Sequence, residues 1–167
     1  EFDVKIQALP LRPSGNIVCA NACRIDWEDV CPHTKDEEVF IMGNPPYLGA
    51  RLQSEEQKED MSNAMGSVKG FNNLDYIACW FYKGAEYIKN TFARYAYVST
   101  NSICQGEQVS LLWPSVFKRG LEISFTHTSL KWTNNAKGQA AVLVVIIGVA
   151  KRNCSDKYIH KDNAFAK

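Results

Sequence analysis

The longest apolar stretch of the chain, residues 140–150, limits the possible folds more than any other feature. Its eleven residues are too few for a membrane-spanning helix, which needs about 18. Val and Ile fill most of residues 141–149, and such a β-branched run is typical of a strand covered on both faces of a sheet. We therefore predict a fold built around a buried strand in this region.

Strand and helix patterns alternate along the rest of the chain. Apolar runs predict strands at residues 16–20, 38–42, 95–100 and 121–126. Helical spacing of apolar residues predicts helices at 74–88 and 109–117, the second bent or restarted at Pro114. The polar segment 48–69 is either a solvated helix or a mobile loop, and the tail after Lys151 is expected to form coil.

Strands that alternate with helices indicate an α/β fold. No helix pattern separates the strands at 121–126 and 141–149, so they are predicted to form a C-terminal antiparallel hairpin in a mainly parallel sheet. The length of 167 residues suits one domain. We divide it into a lead-in (1–15), an α/β unit (16–150) and a tail (151–167).

Net charge and cysteine content exclude a uniformly basic nucleic-acid-binding surface and argue against a disulfide-bonded framework. Nineteen Lys and Arg against eighteen Asp and Glu give a net charge of +1, so any nucleic-acid contact must come from local clustering of basic residues. The first residues lack the basic and apolar regions of a signal peptide. The six cysteines are therefore predicted to be reduced and structural, and the spacing of Cys19, Cys23, Cys31 and His33 matches no strong metal site.

The segment with the most chemical information is Asn44-Pro45-Pro46-Tyr47, here called the NPPY loop, which follows the strand predicted at 38–42. In open α/β sheets, ligands bind beyond the carboxyl ends of the strands. Two successive prolines stiffen the backbone and remove two N–H donors, so the loop presents carbonyl oxygens. The Asn44 amide adds a further acceptor, and the Tyr47 ring offers a flat surface. This combination suits the exocyclic amine of a nucleobase.

The NPPY loop resembles that of the S-adenosylmethionine-dependent adenine-N6 DNA methyltransferases, in particular the fused, type IIG-like bacterial restriction–modification enzymes. Four further segments resemble that family in the family's order: residues 16–27, 74–80, 99–106 and 130–148. The resemblance implies that residues 16–150 form the catalytic half of a Rossmann-like methyltransferase domain.

The resemblance also implies roles for the NPPY loop. A target adenine, flipped out of the duplex, would donate its N6 amine to the Asn44 side-chain oxygen and the Pro45 carbonyl. Pro46 belongs to the same catalytic loop, and Tyr47 would stack on the base.

The segment before the strand at 141–149 is expected to contact double-stranded DNA, the implied partner. Trp132 is the candidate for a second aromatic wall against the flipped base. Lys131 and Lys137 flank this wall and are the candidates for phosphate contacts.

For the cofactor, S-adenosylmethionine, the resemblance implies four candidate residues: Asn21, Asp26, Asp75 and Tyr76. Asn21 follows the strand predicted at 16–20, where the family commonly places Asp or Asn against the adenine ring. Other roles stay open, because Asp26 can cap the following turn. Asp75 can instead be an acidic residue at the start of a helix, where the helix dipole stabilises it, and Tyr76 can be a core residue.

One part of the family's pattern is absent, because residues 1–15 contain no G-x-G cofactor loop. We therefore expect the cofactor half and a target-recognition domain to belong to the same longer polypeptide, acting in the bacterial cytoplasm at the nucleoid. We also expect this chain alone to be inactive.

Two alternatives to adenine methylation remain. The first is methylation of a protein Gln or an RNA base by the same loop. The second is a non-catalytic module that binds DNA or a subunit.

Overall fold

The computed structural model describes residues 15–132, 142–153, 156–161 and 164–166. One six-stranded sheet lies at its centre, in the order β1-β2-β4-β3-β5-β6. The strands are β1 (Phe40–Gly43), β2 (Arg94–Thr100), β3 (Leu121–Trp132), β4 (Val142–Lys151), β5 (Tyr158–Lys161) and β6 (Ala164–Ala166). The helices are α1 (Trp27–Val30), α2 (Glu55–Met65), α3 (Ala78–Ile88) and α4 (Gly106–Phe117). No helix in these ranges is long and apolar enough to cross a membrane.

Four of the six described strands point the same way. β1 is parallel to β2, and β3 is parallel to β5. β4 is antiparallel to both β2 and β3, between which it lies, and β6 is antiparallel to β5. The predicted α/β sheet with a late antiparallel hairpin is therefore confirmed.

The interior position of β4 follows from its apolar side chains. Its most buried members are at most 1% exposed: Val144, Val145, Ile147, Val149 and Ala150. Gly148 lies directly under the ring of Phe125. A Cβ at this position would come within 2.1 Å of the ring, so only glycine fits there. The β-branched run thus forms the covered strand that the sequence predicts.

Two predictions near the ends of the chain are wrong. Residues 16–20 form no strand and are exposed, Ile17 by 96%. No described strand pairs with them, and a lone apolar run gains nothing from an extended conformation. The tail after Lys151 contains β5 and β6 instead of coil, because β3 has a free edge away from β4 and Tyr158–Lys161 pairs with it.

The helix predictions are confirmed with shifted boundaries. The helix predicted at 74–88 begins at Ala78, and that predicted at 109–117 begins at Gly106 and contains Pro114. Segment 48–69 contains the helix α2, which is mostly exposed but buries Asp60, Met61 and Met65 and starts with a capping box. The Ser54 hydroxyl accepts a hydrogen bond from the Gln57 N–H at 3.3 Å, and the Gln57 side chain accepts one from the Ser54 N–H at 3.0 Å.

The core lies between α3, α4 and the sheet. The Phe81 ring on α3 meets the rings of Tyr95, Tyr97 and Trp113 edge-on, with centroids 5.3–5.9 Å apart. Gly84, one turn along α3, permits this close approach to the sheet. A Cβ at Gly84 would lie 3.0 Å from both tyrosine side chains.

The two tyrosines provide a matched test of this packing. The Tyr95 hydroxyl donates to the Phe81 carbonyl at 3.0 Å, whereas the buried Tyr97 hydroxyl has no hydrogen-bond partner among the described residues. We expect Tyr95→Phe to lower the free energy of unfolding by about 1 kcal/mol and Tyr97→Phe to raise it by about 1 kcal/mol. Urea denaturation followed by tryptophan fluorescence measures both, and equal losses in the two variants would contradict the packing.

Candidate functional site

The NPPY loop directly follows β1 and lies beside β2, which continues three residues past the end of β1, to Thr100. Gly43, the last residue of β1, pairs with Tyr97 of the parallel strand β2. In the loop itself, Asn44 and Pro46 are exposed and Pro45 is buried. Tyr47 is half-buried and packs against the core. The predicted position at the carboxyl end of a parallel strand is therefore confirmed.

Asp75 anchors the residue that follows the NPPY loop. Its buried carboxylate accepts hydrogen bonds from the backbone N–H groups of Leu48, at 2.9 Å, and Ile77, at 3.2 Å. The Asp75 N–H in turn donates to the Gln108 side chain at 2.9 Å. One carboxylate thus ties the end of the loop to the start of α3.

The carbonyl of Leu48 is held as firmly as its N–H. It accepts hydrogen bonds from the Tyr76 N–H at 3.0 Å and from the Gln53 side chain at 3.1 Å. Gln53 is 7% exposed, and its amide also donates to the Leu74 carbonyl at 3.0 Å. We call Gln53, Asp75 and Tyr76 the loop anchor. Sequence reasoning missed Gln53, because a glutamine in a polar segment carries no signal of burial.

A second polar cluster is centred on Asp60 of α2, which is 3% exposed. The Asp60 carboxylate accepts hydrogen bonds from Arg24 Nε at 2.7 Å, from the Tyr76 hydroxyl at 2.7 Å and from Asn21 Nδ2 at 3.0 Å. Two predicted cofactor residues, Asn21 and Tyr76, therefore meet at a carboxylate that the sequence analysis did not single out. Asp60 lies within a run of charged residues, and nothing in the neighbouring sequence distinguishes this buried carboxylate from the exposed ones.

Asp60 makes the stability of the chain depend on pH. Burial alone would raise the pKa of the Asp60 carboxyl, but the hydrogen bonds from Arg24, Tyr76 and Asn21 outweigh it and hold this pKa below its usual value of 3.8. A carboxyl whose pKa is lowered by folding stabilises the fold above its usual pKa, and this contribution is lost as the pH falls through the folded-state pKa.

We therefore expect Asp60→Asn to lower the free energy of unfolding by about 1–3 kcal/mol at pH 7. The deficit should shrink as the pH falls below 3.8, because the unfolded wild-type chain then binds a proton that the folded carboxylate binds only at lower pH. Urea denaturation across this pH range measures the difference, with the exposed neighbour Glu59→Gln as the control. A deficit that is independent of pH would show that the charge on Asp60 does not stabilise the fold.

The segment that joins Asn21 to α1 is held by its own turns. Asn21 Oδ1 accepts a hydrogen bond from the Cys23 N–H at 2.9 Å. Asp26 caps α1 by accepting from the Glu28 N–H at 3.0 Å, which is one of the alternatives left open above. Lys83 of α3 donates to the Ile25 carbonyl at 2.7 Å. These bonds fix the segment against α3.

A cavity of about 550 Å³ opens beside the NPPY loop. Its lining includes Asn44 and Pro45, and Ala22 next to Asn21. The aromatic side chains of Trp27 and Trp80 also line it. Asp26 and Asp60 line an adjoining groove of about 780 Å³, which shares Ile25, Trp27 and Tyr87 with the cavity but no residue of the NPPY loop. The structure therefore brings Asn44 and Pro45 together with Ala22, next to Asn21, and it places Asp26 in the adjoining groove.

Two of the predicted DNA contacts lie at the carboxyl end of β3, at the same end of the sheet as the NPPY loop, because β1, β2 and β3 run in the same direction. Lys131 and Trp132 are the last residues of β3 and pair with Leu143 and Val142 of β4. Lys137 lies outside the described residues. Among the residues that are described, no three His, Cys, Asp or Glu side chains form a group that could hold a metal ion.

This strand order, with β4 antiparallel between β2 and β3 and an Asn-Pro-Pro-Tyr loop after β1, defines a methyltransferase-type α/β fold. The family described as "MmeI, DNA-methyltransferase domain" matches residues 1–161. The chain belongs to this family, and the resemblance found in the sequence is confirmed.

Individual relatives agree with this assignment. DNA methyltransferase A of Bacillus subtilis (strain 168) is 52% identical over 155 residues, covering 92% of this chain and 18% of that protein. The Type IIL restriction-modification enzyme MmeI, solved in complex with DNA, is 42% identical with a TM-score of 0.79, covering 93% of this chain and 21% of that one. The chain in the DrdV–DNA complex shares the fold, at 15% identity, a TM-score of 0.50 and coverage of 74% and 14%. The chain thus spans about a fifth of the first two of these proteins.

Proposed function

We propose that this chain is the catalytic half of a methyltransferase domain that transfers a methyl group from S-adenosylmethionine to N6 of a flipped adenine in DNA. The parent is a longer restriction–modification polypeptide at the bacterial nucleoid, and the chain alone is inactive. One observation carries the proposal. The exposed Asn44 and the adjoining Pro45 line an open cavity at the carboxyl end of β1, on a loop whose end is anchored to buried groups.

The NPPY loop acts on the amine through two oxygen acceptors. The amine donates one hydrogen to Asn44 Oδ1 and the other to the Pro45 carbonyl. Both bonds favour a tetrahedral nitrogen and stabilise the positive charge that develops on it during transfer. Pro46 keeps the two acceptors in place, and Tyr47 stacks on the base. The reaction is a direct displacement that needs no covalent enzyme intermediate, so no cysteine serves as a nucleophile.

The loop anchor contributes by positioning. Because Leu48 is bound through both its N–H and its carbonyl, the two acceptors keep their places while the base enters. A rigid clamp of this kind pre-orients the amine, and misplacing reacting groups by about 1 Å can cost about 100-fold in rate. Asp75 and Tyr76, which the resemblance predicts as cofactor residues, therefore contribute to the reaction by holding Leu48 in place.

The cavity residues fit the adenosyl part of S-adenosylmethionine, because aromatic walls at Trp27 and Trp80 suit a planar ring. When bound, the cofactor supplies the methyl group that is transferred. Asn21 holds the segment that carries Ala22 into the cavity wall, with its own amide bonded to Asp60 and the Cys23 N–H. The remaining predicted contact, Asp26, acts through the turn that it caps.

The DNA contacts lie at the carboxyl end of β3, at the same end of the sheet as the NPPY loop. Trp132 provides the second aromatic wall, and Lys131 and Lys137 neutralise phosphates beside it. Because the chain spans about a fifth of its relatives, the cofactor half and the target-recognition domain come from elsewhere in the same polypeptide.

The identity of the methylated group tests the proposal. The full-length polypeptide is expressed in cells that lack other DNA methyltransferases, and the nucleosides of their DNA are analysed by mass spectrometry. We expect N6-methyldeoxyadenosine. A methylated cytosine in its place, or methyl label found only in RNA or on protein glutamine, would overturn the adenine assignment.

A further inference from the structure

Leu52 is an exposed apolar side chain close to the NPPY loop. It is the last residue of a short 3-10 turn, Ala50–Leu52, and 74% of its surface is exposed. A single exposed leucine is ordinary on a protein surface. Leu52 differs from an ordinary case because the backbone on both sides of it is fixed and because one of its anchors also holds the NPPY loop.

The fixed backbone follows from three contacts. The Leu52 N–H donates to the Gly49 carbonyl at 2.9 Å and closes the turn. The next residue, Gln53, is buried and bonded to the carbonyls of Leu48 and Leu74. Ser54 then begins α2 through its capping box. Leu52 therefore projects from a rigid turn whose position relative to the NPPY loop is set by the Gln53 amide.

The neighbouring side chain adds a charge that suits nucleic acid. Arg51 is exposed and has no ion-pair partner among the residues that the structure describes. Arg51 and Leu52 line one surface depression together with Asn73 and Glu107, which are themselves hydrogen-bonded at 3.4 Å. A cation beside an apolar tip matches a phosphate beside a base stack.

We propose that Leu52 inserts into the base stack next to the flipped base, with Arg51 on the adjoining phosphate. This inference rests on the proposed function, since only a flipped base leaves a gap to fill. Enzymes that extrude a base must offset the loss of stacking and pairing, and apolar side chains that enter the stack stabilise such openings. Leu52 is thus a positioning residue for base flipping and takes no part in methyl transfer itself.

The test uses the full-length polypeptide and a duplex that carries its mapped methylation site. With 2-aminopurine at the target position, base flipping raises the fluorescence. We expect Leu52→Ala to lose most of this rise and to lower kcat/KM for methylation about 10- to 100-fold. A mismatch opposite the target base makes flipping easier, so it should restore most of the activity of Leu52→Ala. Val109→Ala, which shortens an exposed apolar side chain on α4, is the control and should match the wild type.

Two results would overturn the inference. Unchanged fluorescence in Leu52→Ala would show that Leu52 does not support flipping. A methylation defect equally large on the mismatched duplex would show that Leu52 instead packs on another part of the polypeptide. Either result leaves the proposed function standing as long as the wild type methylates adenine. A wild type that methylates no adenine refutes the proposed function first.

Discussion

Asn44→Ala in the full-length polypeptide should reduce methyl transfer to DNA about 1,000-fold or more, while the affinity for DNA changes by less than about threefold. The alanine removes an acceptor that is aimed at the charge developing on the amine nitrogen. Binding to DNA depends mainly on phosphate contacts, which do not involve Asn44. Transfer of radioactive methyl groups to a duplex measures the first quantity, and fluorescence anisotropy measures the second.

Two further variants make this result specific. Asn44→Asp keeps an oxygen acceptor in the same place, so it should retain far more activity than Asn44→Ala. Asn63→Ala changes an exposed asparagine of α2 that lines the adjoining groove but not the cavity beside the NPPY loop, so it should leave both quantities unchanged. If Asn44→Ala still transferred methyl groups at a rate near that of the wild type, the proposed mechanism would be wrong.

Asp75→Ala should produce the second largest loss, a decrease in kcat of about 100-fold. Without the carboxylate, the N–H groups of Leu48 and Ile77 lose the acceptor that the structure gives them. The end of the NPPY loop then loses one of its three anchors, and Leu48 is held only through its carbonyl, by the Tyr76 N–H and the Gln53 amide. Asp75→Asn retains an acceptor oxygen and should lose much less. Steady-state kinetics with both substrates varied measures these constants.

The kinetic pattern distinguishes the two roles considered for Asp75. A positioning role predicts a lower kcat with little change in KM for S-adenosylmethionine. A direct cofactor contact predicts a higher KM for S-adenosylmethionine that Asp75→Asn also shows. The exposed Asp36→Ala serves as the matched control.

The sequence predicts the place of the NPPY loop well because two local signals coincide there. An apolar run ends at a glycine, and two prolines exclude any continuation of the strand. The β-branched run of β4 is equally informative, since its residues suit a buried strand whatever surrounds them.

The errors come from features that depend on distant partners. The run at 16–20 has a strand composition but no described strand beside it, whereas β5 forms because β3 offers it an edge. The roles of Gln53 and Asp60 depend on groups that are far away in the sequence: Gln53 bonds Leu74, and Asp60 bonds Asn21 and Arg24. A polar side chain in a polar segment looks the same whether it is exposed or anchors a loop, so local patterns cannot reveal it.

A structure of the full-length polypeptide with DNA and an unreactive S-adenosylmethionine analogue tests the central claim most directly. We expect an extruded adenine whose N6 atom lies about 3 Å from both Asn44 Oδ1 and the Pro45 carbonyl oxygen, with the Tyr47 ring against the base. An extruded base whose amine is bound by other residues, with Asn44 turned away from it, would contradict the account.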